Sequence, residues 1–353
     1  MNATVQATLS HLKLGEPQAF HNFTLFPILD GEVAGPEYLT LGEALKRESL
    51  KISEMDEAGS VPEVKVTNLA ELAVLLLDGE ELLGAKQNRV LNTTILLRPQ
   101  CETVVNVSCT ERGRWHYDTP EFRDSEVVMA RNIRARKSRS VSENLRSSRE
   151  FRSDQGEVWE QIDELAASSG VESRTGAMRD VYTSKEQQIQ ESLEAFPRVD
   201  GQRGVVFLVG ESVIGMDLVS RADAYIDLHD KLVKSYVIDS PLERCGVDAA
   251  TSPPTPASGS APTPPSKGDQ GGCPPAAEVV ERFLKQLAAC SETSFDSVGC
   301  GTDYRYDAAQ VCGSALVHED TCIHAAFFAN EHNAPQEDQP NMQGFRQRRQ
   351  FRQ

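Results

Sequence analysis

Several common signals are missing from this sequence. No run of about 18 consecutive apolar residues occurs, so we expect no membrane-spanning helix. The first residues lack a basic segment followed by an apolar run, so we expect no secretory signal. The eight cysteines form no CxxC pair, which favours reduced thiols and a cytoplasmic location. GxGxxG, Walker, HExxH and GxSxG motifs are also missing, which removes the most easily recognised enzyme classes.

Acidic residues outnumber basic residues in this chain. The 353 residues include 36 Lys and Arg against 53 Asp and Glu, a formal charge of −17. Such a surplus of carboxylates repels phosphate, which argues against a general nucleic-acid partner. The 39% hydrophobic content excludes a wholly disordered chain. The length suits one large domain or two ordinary ones.

Short β-branched and apolar runs indicate strands in residues 63–111. The runs at 72–77, 92–97 and 103–108 end at turn-forming residues or at proline. Strands this close in sequence pair most simply in antiparallel fashion. The sequence therefore predicts an α+β fold with an antiparallel core that resembles a β-sandwich.

A basic and helical stretch follows these strands. Residues 130–152 hold eight Arg or Lys against two Glu, a local charge of +6. Apolar residues at helical spacing occur in 159–166, and a second helical pattern covers 186–196. We interpret residues 130–197 as a helical arm. Its basic part is predicted to be a solvated or partly disordered helix that pairs with acidic faces of the same protein.

Regular structure is predicted again after this arm. Residues 204–209 and 213–218 indicate a hairpin, because turn-forming residues separate two apolar runs. Residues 223–237 indicate a helix with one apolar face, formed by Tyr225, Leu228, Leu232 and Tyr236.

Proline and glycine then interrupt the pattern. Residues 251–275 contain eight Pro and four Gly, and we predict that they are disordered. A short helix is expected at 276–289 and a last ordered segment at 308–328. The end of the chain is a basic tail that we expect to be mobile.

The densest polar cluster lies between two apolar strands. It extends over residues 78–89 and is followed by Asn92. The candidate ligand-binding residues are Lys86, Gln87, Asn88, Arg89 and Asn92, because cations and amides of this kind bind phosphate or sugar. Glu80 or Glu81 would act as the base. The alternative is a solvated hairpin with Gly79 and Gly84 at its turns.

A second polar cluster covers residues 108–116 and contains Glu111, Arg114 and Trp115. Cys109 would be a nucleophile only if a histidine lay near it, and an inert core thiol is the alternative. His318, Cys322 and His324 show no standard zinc-finger spacing, and we predict no metal. His324 would instead point into a pocket shared with the first cluster, as a further candidate catalytic residue, and no cofactor is identified.

These residues carry a resemblance to a known family. The segments 80–89 and 107–115 resemble the ARG and rhodanese-phosphatase superfamily associated protein domain. Softer matches lie at 155–159, 204–209 with 214–217, and 231–236, and the segment 324–327 resembles the family's end. The resemblance covers about residues 10–330.

The resemblance changes the expected domain organisation. The family pattern resumes after the Pro-rich stretch, which therefore reads as an insertion within one composite domain, residues 10–330. Its expected parts are listed in chain order: strand-rich 10–117, helical arm 130–197, strand and helix 204–240, Pro-rich insert 248–275 and closing segment 276–330. A mobile basic tail, 331–353, would follow them.

The family name implies an association with ADP-ribosylglycohydrolases and rhodanese-phosphatases, and by analogy with nucleotide or ADP-ribose metabolism or with intracellular defence. The resemblance favours a functional pocket around residues 80–89 with Glu111 and Arg114. The expected ligand is a phosphorylated or ribosylated small molecule such as a nucleotide or ADP-ribose. Whether the protein is an enzyme stays open. The alternative is a non-catalytic scaffold or interaction protein in which the polar cluster is structural.

Overall fold

A computed structural model describes residues 1–29, 35–56, 60, 62–238 and 276–330. The whole Pro-rich stretch and the whole basic tail lie outside the described residues, so the predictions made for them are not tested. The helices of the described part are α1 (Ala3–Ser10), α2 (Leu41–Lys46), α3 (Arg131–Ser147), α4 (Gln155–Ser168), α5 (Met178–Ser184), α6 (Glu186–Ala195), α7 (Ala222–Val237) and α8 (Ala276–Leu287).

The strands fall into three sheets. In chain order they are β1 (Lys13–Leu14), β2 (Gln18–Phe20), β3 (Phe23–Leu29), β4 (Tyr38–Thr40), β5 (Leu50–Glu54), β6 (Glu63–Asn68), β7 (Ala73–Leu76), β8 (Glu80–Gly84), β9 (Arg89–Leu91), β10 (Ile95–Leu97), β11 (Cys101–Cys109), β12 (Phe122–Val128), β13 (Gln202–Val209), β14 (Ser212–Val219), β15 (Ser291–Asp296), β16 (Thr302–Asp307), β17 (Val311–His318) and β18 (Thr321–Ala329).

The largest sheet has nine strands in the order β1-β3-β13-β14-β18-β17-β16-β15, with β2 also paired to β3. All of these pairs are antiparallel. The sheet is buried on both faces: Val205 and Phe207 of β13 face one core, whereas Val206 and Leu208 face another. Burial on both faces explains why residues 204–209 form a continuous apolar run rather than an alternating one.

The other two sheets enclose a shared core. A six-stranded sheet has the order β12-β8-β9-β11-β6-β5, and a three-stranded sheet has the order β10-β7-β4. Leu82, Leu91 and Val107 from the first pack with Val74 and Ile95 from the second. This arrangement confirms the predicted α+β class and its sandwich-like antiparallel sheets, although β4 and β7 pair in parallel.

The predicted hairpin and helix near residue 220 are confirmed. Strands β13 and β14 pair in antiparallel register from Gly204 opposite Leu218 to Val209 opposite Ser212. Gly210 takes a positive φ of 56° at the turn, a conformation that glycine adopts without a Cβ penalty. Helix α7 covers the sheet with its predicted apolar face, and all four of these side chains are at most 1% exposed: Tyr225, Leu228, Leu232 and Tyr236.

The predicted helical arm contains four helices, but two cations of its basic part lie in the core. Helix α3 is ordered, and the side chains of Arg134 and Lys137 are at most 1% exposed. They lie inside because Asp78 and Asp217 supply opposite charges in the core. The prediction of a solvated or partly disordered helix was therefore wrong for the buried face of α3. On its other face Arg136 and Arg146 pair with exposed carboxylates, those of Glu164 and Asp307.

Candidate functional site

Strand pairing arranges the first polar cluster in rows. Leu82 lies opposite Arg89, and Arg89 lies opposite Cys109, so these three residues share one row across β8, β9 and β11. Glu81 and Val90 belong to the next row. Because neighbouring positions of a strand point to opposite faces, Glu81 projects away from the face that carries Arg89.

We call the group around Arg89 the Arg89 cluster, and it consists of Glu54, Lys86, Gln87, Arg89, Cys109 and Trp115. The Nη1 atom of Arg89 donates to Gln87 Oε1 at 2.8 Å and lies 2.6 Å from Cys109 Sγ. The thiol donates in turn to Gln87 Oε1 at 3.0 Å. The Nη2 atom of Arg89 lies 3.8 Å from Glu54 Oε1. One side of the guanidinium group is therefore closely held and the other is only loosely paired.

Several polar atoms of this cluster lack hydrogen bonds. Arg89 is fully buried, yet its Nε and Nη2 atoms have no hydrogen-bond partner among the described residues. The same holds for Oε2 of Glu54. A buried polar group without a partner costs about 1–3 kcal/mol. The cluster thus has spare hydrogen-bonding capacity beneath its surface.

Two aromatic side chains lie over the cations of this cluster. The Nζ atom of Lys86 is 5.4 Å from the ring centroid of Trp115 and 5.1 Å from that of Tyr117. The guanidinium carbon of Arg89 is 5.8 Å from the Trp115 ring. Trp115 and Tyr117 are each 47% exposed. Both rings therefore connect the buried cations to the surface of the molecule.

The thiol of Cys109 is held in an inert environment. Burial raises the pKa of Cys109 to about 11, against the opposing effect of Arg89. Its backbone is clamped by Gln155, which accepts from Cys109 N at 2.7 Å and donates to Cys109 O at 3.0 Å. A thiolate is the reactive form, so this residue is a core thiol rather than a nucleophile.

Glu111, Arg114 and Asn88 form a closed set beside the Arg89 cluster. Arg114 donates from Nε to Glu111 Oε2 at 2.8 Å and from Nη2 to Asn88 Oδ1 at 2.9 Å. It also donates to the carbonyl oxygen of Ala85 at 2.7 Å. Gly84 donates its backbone N–H to Asn88 Oδ1 at 3.2 Å. These contacts fix the loop that joins β8 to β9.

Glu80 lies in a buried ion pair. Its Oε1 atom accepts from Lys231 Nζ at 2.8 Å, and its Oε2 atom accepts from the backbone N–H of Leu77 at 2.8 Å. Lys231 also donates to Asp124 at 2.6 Å. Burial favours the neutral amine, but the two carboxylates outweigh it and raise the pKa of Lys231. Glu80 therefore ties α7 to the six-stranded sheet.

Glu81 is fully buried beside the hydroxyl of Thr110. Its Oε1 atom accepts from the hydroxyl of Thr110 at 2.7 Å, and Oε2 has no hydrogen-bond partner among the described residues. Burial raises its pKa to about 7, although the Thr110 hydroxyl opposes this shift. A carboxyl group that titrates near neutrality is suited to proton transfer.

His324 belongs to a separate group that we call the Asp217 cluster. Its members are Asp78, Thr94, Arg134, Lys137, Asp217, Tyr236 and His324. Asp217 accepts from Arg134 at 2.8 and 3.1 Å and from the Tyr236 hydroxyl at 2.7 Å. Burial would raise the pKa of Asp217, but Arg134 and His324 outweigh it and lower the value to about 2.

The hydrogen bonds of His324 form a consistent chain. Its Nε2 atom lies 3.2 Å from Asp217 Oδ1, and its Nδ1 atom lies 2.8 Å from Thr94 Oγ1. The ionised carboxylate only accepts, so Nε2 donates to it, and Nδ1 is hydrogen-bonded to the Thr94 hydroxyl. Thr94 Oγ1 itself accepts from the backbone N–H of Asp78 at 3.0 Å. Every polar atom of the imidazole is thereby paired within the core.

Asn92 contributes to the scaffold around these clusters. It donates to the carbonyl oxygen of Phe151 at 3.0 Å and accepts from the Ser108 hydroxyl at 2.7 Å. Its own carbonyl oxygen accepts from Lys137 Nζ at 3.1 Å. Asn92 therefore links β9, β11 and α3 at a position that is 1% exposed.

The predicted site residues thus separate into several groups. Lys86, Gln87 and Arg89 lie in the Arg89 cluster, and Asn88 lies beside it with Glu111 and Arg114. The others lie apart: Glu80 pairs with Lys231, Glu81 bonds to Thr110, Asn92 joins the scaffold, and His324 belongs to the Asp217 cluster. The imidazole of His324 is hydrogen-bonded to Thr94 and Asp217, which lie outside the Arg89 cluster.

Sequence reasoning missed several residues of these clusters. Glu54 lies in a strand that precedes the predicted polar segment, and no local pattern identifies it. Asp217 had a detectable signal, because a carboxylate inside the apolar strand 213–218 requires a buried partner. The i, i+3 spacing of Arg134 and Lys137 puts both on one helix face, which was a second usable signal.

Within the part of the chain that the structure describes, no group of three or more His, Cys, Asp or Glu side chains is arranged to hold a metal ion. None of the described helices combines the length and the apolar character that crossing a bilayer requires.

The fold defines an α+β protein in which clusters of buried polar side chains lie among apolar cores between antiparallel sheets. Residues 11–328 match the model of the ARG and Rhodanese-Phosphatase-superfamily-associated Protein domain. The chain belongs to this family, as the motifs at 80–89 and 107–115 predicted. No curated protein and no solved structure matches the chain significantly.

Proposed function

We propose that this protein binds a phosphorylated or ribosylated small ligand, such as a nucleotide or ADP-ribose, at the Arg89 cluster. The supporting observation is that two guanidinium nitrogens of the buried Arg89 have no hydrogen-bond partner among the described residues. A phosphate or ribose oxygen would accept from these donors and remove the cost of leaving them unpaired.

The aromatic side of the cluster supports the same ligand class. Trp115 and Tyr117 present large exposed ring faces next to Lys86 and Arg89. A base stacks on such a ring while the neighbouring cations neutralise its phosphates. This combination favours a nucleotide-like molecule over a simple inorganic anion.

The proposal concerns binding and assigns no catalytic step. Glu80 and His324 are held by partners within the core, and Glu81 faces away from Arg89. We place the protein in the cytoplasm, in nucleotide or ADP-ribose metabolism or in intracellular defence. The family name and the cysteine pattern support this placement.

Calorimetric titration of purified protein with ADP-ribose and a panel of nucleotides tests the proposal. Trp115→Ala is the sharpest variant, because the ring is half exposed and its removal leaves the core intact. We expect affinity to fall about tenfold, since stacking on an aromatic ring contributes about 1–3 kcal/mol. Ile226→Ala, which truncates another exposed side chain, is the matched control. Absence of binding by the wild type across the panel would refute the proposal.

The second candidate is a non-catalytic scaffold in which these clusters are structural. The closed set formed by Glu111, Arg114 and Asn88 favours it, as does the pair between Glu80 and Lys231. It predicts that Arg89→Ala lowers the stability and that no ligand raises the melting temperature. A ligand at 100 times its Kd would add about 2.7 kcal/mol to the stability, so a thermal-shift screen separates the two candidates.

A further inference from the structure

Two adjoining cavities lie away from the Arg89 cluster, between the start of α3, the end of β18 and helix α8. Their volumes are about 420 and 210 Å³, and both are lined by Arg131, Ala329 and Asn330. Arg282 lines the larger cavity, whereas Arg136 and Arg139 line the smaller one.

The charge of this lining is opposite to that of the protein as a whole. Four arginines border the two cavities, and among the described residues Glu211 is the one carboxylate in their linings. The complete chain, in contrast, has a formal charge of −17. Arginine groups gathered on a concave surface recognise phosphate oxygens through forked hydrogen bonds.

One of these arginines, Arg139, is held in place by a hydrogen bond to a side chain that is itself fixed. Asn330 donates its side-chain amide to the carbonyl oxygens of Ala308 and Ala309, at 3.2 and 3.0 Å. This orientation directs Asn330 Oδ1 toward Arg139, which donates to it. The Arg139 side chain is therefore oriented at the cavity wall before any ligand arrives, which lowers the entropy cost of binding.

Arg136 can exchange its ion-pair partner for a ligand. It lies 3.6 Å from Glu164, and both side chains are substantially exposed, at 42% and 62%. Exposed pairs of this kind contribute about 0–1 kcal/mol. A multiply charged ligand would replace Glu164 at little cost.

The start of α3 adds to the positive potential. Its N-cap residue, Ala130, makes no side-chain hydrogen bond, and the first turn contains no acidic residue. A helix start normally attracts carboxylates because the macrodipole is positive there. Here the first helical residue is Arg131, so the dipole and the arginines favour the same anionic ligand.

We infer that these two cavities together form a second ligand site, which binds a compact polyanion with two or more phosphate groups. The larger cavity also has an apolar wall that includes Val213, Ile214 and Phe283. That wall would accommodate the organic part of a phosphorylated molecule. A nucleoside triphosphate should therefore bind more tightly than inorganic triphosphate.

Titration of the full chain with inorganic triphosphate and with a nucleoside triphosphate, at low ionic strength, tests this site. Arg139→Gln and Arg282→Gln should each weaken inorganic triphosphate binding about tenfold, because each removes a charged hydrogen-bond donor. These two arginines lie on different helices, so a folding defect common to both is not expected. Melting curves verify that both variants are folded.

Arg146→Gln is the matched control, since Arg146 also lies on α3 but pairs with Asp307 outside the cavities. Trp115→Ala separates this site from the proposed one, because it should leave inorganic triphosphate binding unchanged. Three results would overturn the inference: no triphosphate binding by the wild type, equal weakening by Arg146→Gln, or loss of triphosphate binding in Trp115→Ala.

Discussion

Arg134 holds both carboxylate oxygens of Asp217, at 2.8 and 3.1 Å, in the interior of the protein. Neither residue has any exposed surface. Asp217 lies on β14 and Arg134 on α3, so this pair joins the helical stretch to the nine-stranded sheet. Two-point contact with Arg fixes geometry as well as charge.

Asp217→Asn should destabilise the fold strongly. The substitution preserves the side-chain volume, but it removes the negative charge that Asp217 places beside the buried guanidinium of Arg134. Breaking a buried ion pair in this way costs about 3–5 kcal/mol. Urea denaturation followed by circular dichroism measures the change. Asp307→Asn, which removes an exposed partner of Arg146, should alter the stability by less than about 1 kcal/mol. Equal effects of the two variants would contradict a special role for the buried pair.

Glu81 should make the stability depend on pH. Its pKa is about 7 in the fold, because burial disfavours the carboxylate, and about 4.3 in the unfolded chain. Between these values the folded protein holds a proton that the unfolded chain has released. This contribution to stability is complete below about pH 4 and is lost as the pH rises through about 7. The expected loss is about 4 kcal/mol.

Glu81→Gln should flatten that pH dependence between about pH 5 and pH 8. The amide oxygen still accepts from Thr110, and it carries no charge at any pH. Denaturation midpoints measured across this range give the slope directly. Glu160→Gln, at an exposed position of α4, should leave the slope as it is in the wild type. An unchanged slope in Glu81→Gln would show that this carboxyl is not the titrating group.

Local sequence patterns predicted the helices and strands whose formation depends on residues close together in the chain. The hairpin of β13 and β14 was predictable because turn-forming residues, including Gly210, separate two apolar runs. The buried face of α7 was predictable because Tyr225, Leu228 and Leu232 recur at helical spacing. Both features require information from fewer than about 20 consecutive residues.

The burial of α3 was not predictable in this way. A count of charges along the helix suggested a solvated surface. The partners of Arg134 and Lys137 lie 83 and 59 residues away, and only the complete fold brings them together. The partner of Glu80 is more distant still, since Lys231 follows it by 151 residues. For this reason the polar segment 80–89 was recognised as a candidate site, but its division into separate groups was not.

Cys109 should resist alkylation in the native protein. Its side chain is buried, and a pKa of about 11 leaves little thiolate at pH 8. Cys101 is partly exposed and should react with iodoacetamide under the same conditions. Peptide mapping by mass spectrometry distinguishes the two sites. Modification of Cys109 should require denaturant.

Gln155→Ala should make Cys109 more reactive. This substitution removes both hydrogen bonds that clamp the Cys109 backbone to α4. Local opening then becomes easier, and labelling should accelerate several-fold without global unfolding. Gln187→Ala, on the exposed face of α6, is the control. If labelling rates match in the two variants, the clamp does not limit access to the thiol.

Gly204→Ala should be among the most damaging single changes, because the strands leave no space for a methyl group. A Cβ at this position would lie 2.4 Å from the carbonyl oxygen of Asp217 and 2.8 Å from Leu218 Cα. The backbone pairing of β13 with β14 must shift to relieve this overlap, and Asp217 would shift with it. We expect a loss of about 1–3 kcal/mol or more, measured by thermal and urea denaturation.

Gly156→Ala is the matched control, since its Cβ would meet only the Asp154 side chain at 3.2 Å, in the first turn of α4. There the same methyl group should leave the stability unchanged or raise it, because alanine favours helix. A tolerated Gly204→Ala would contradict this close approach of the two strands.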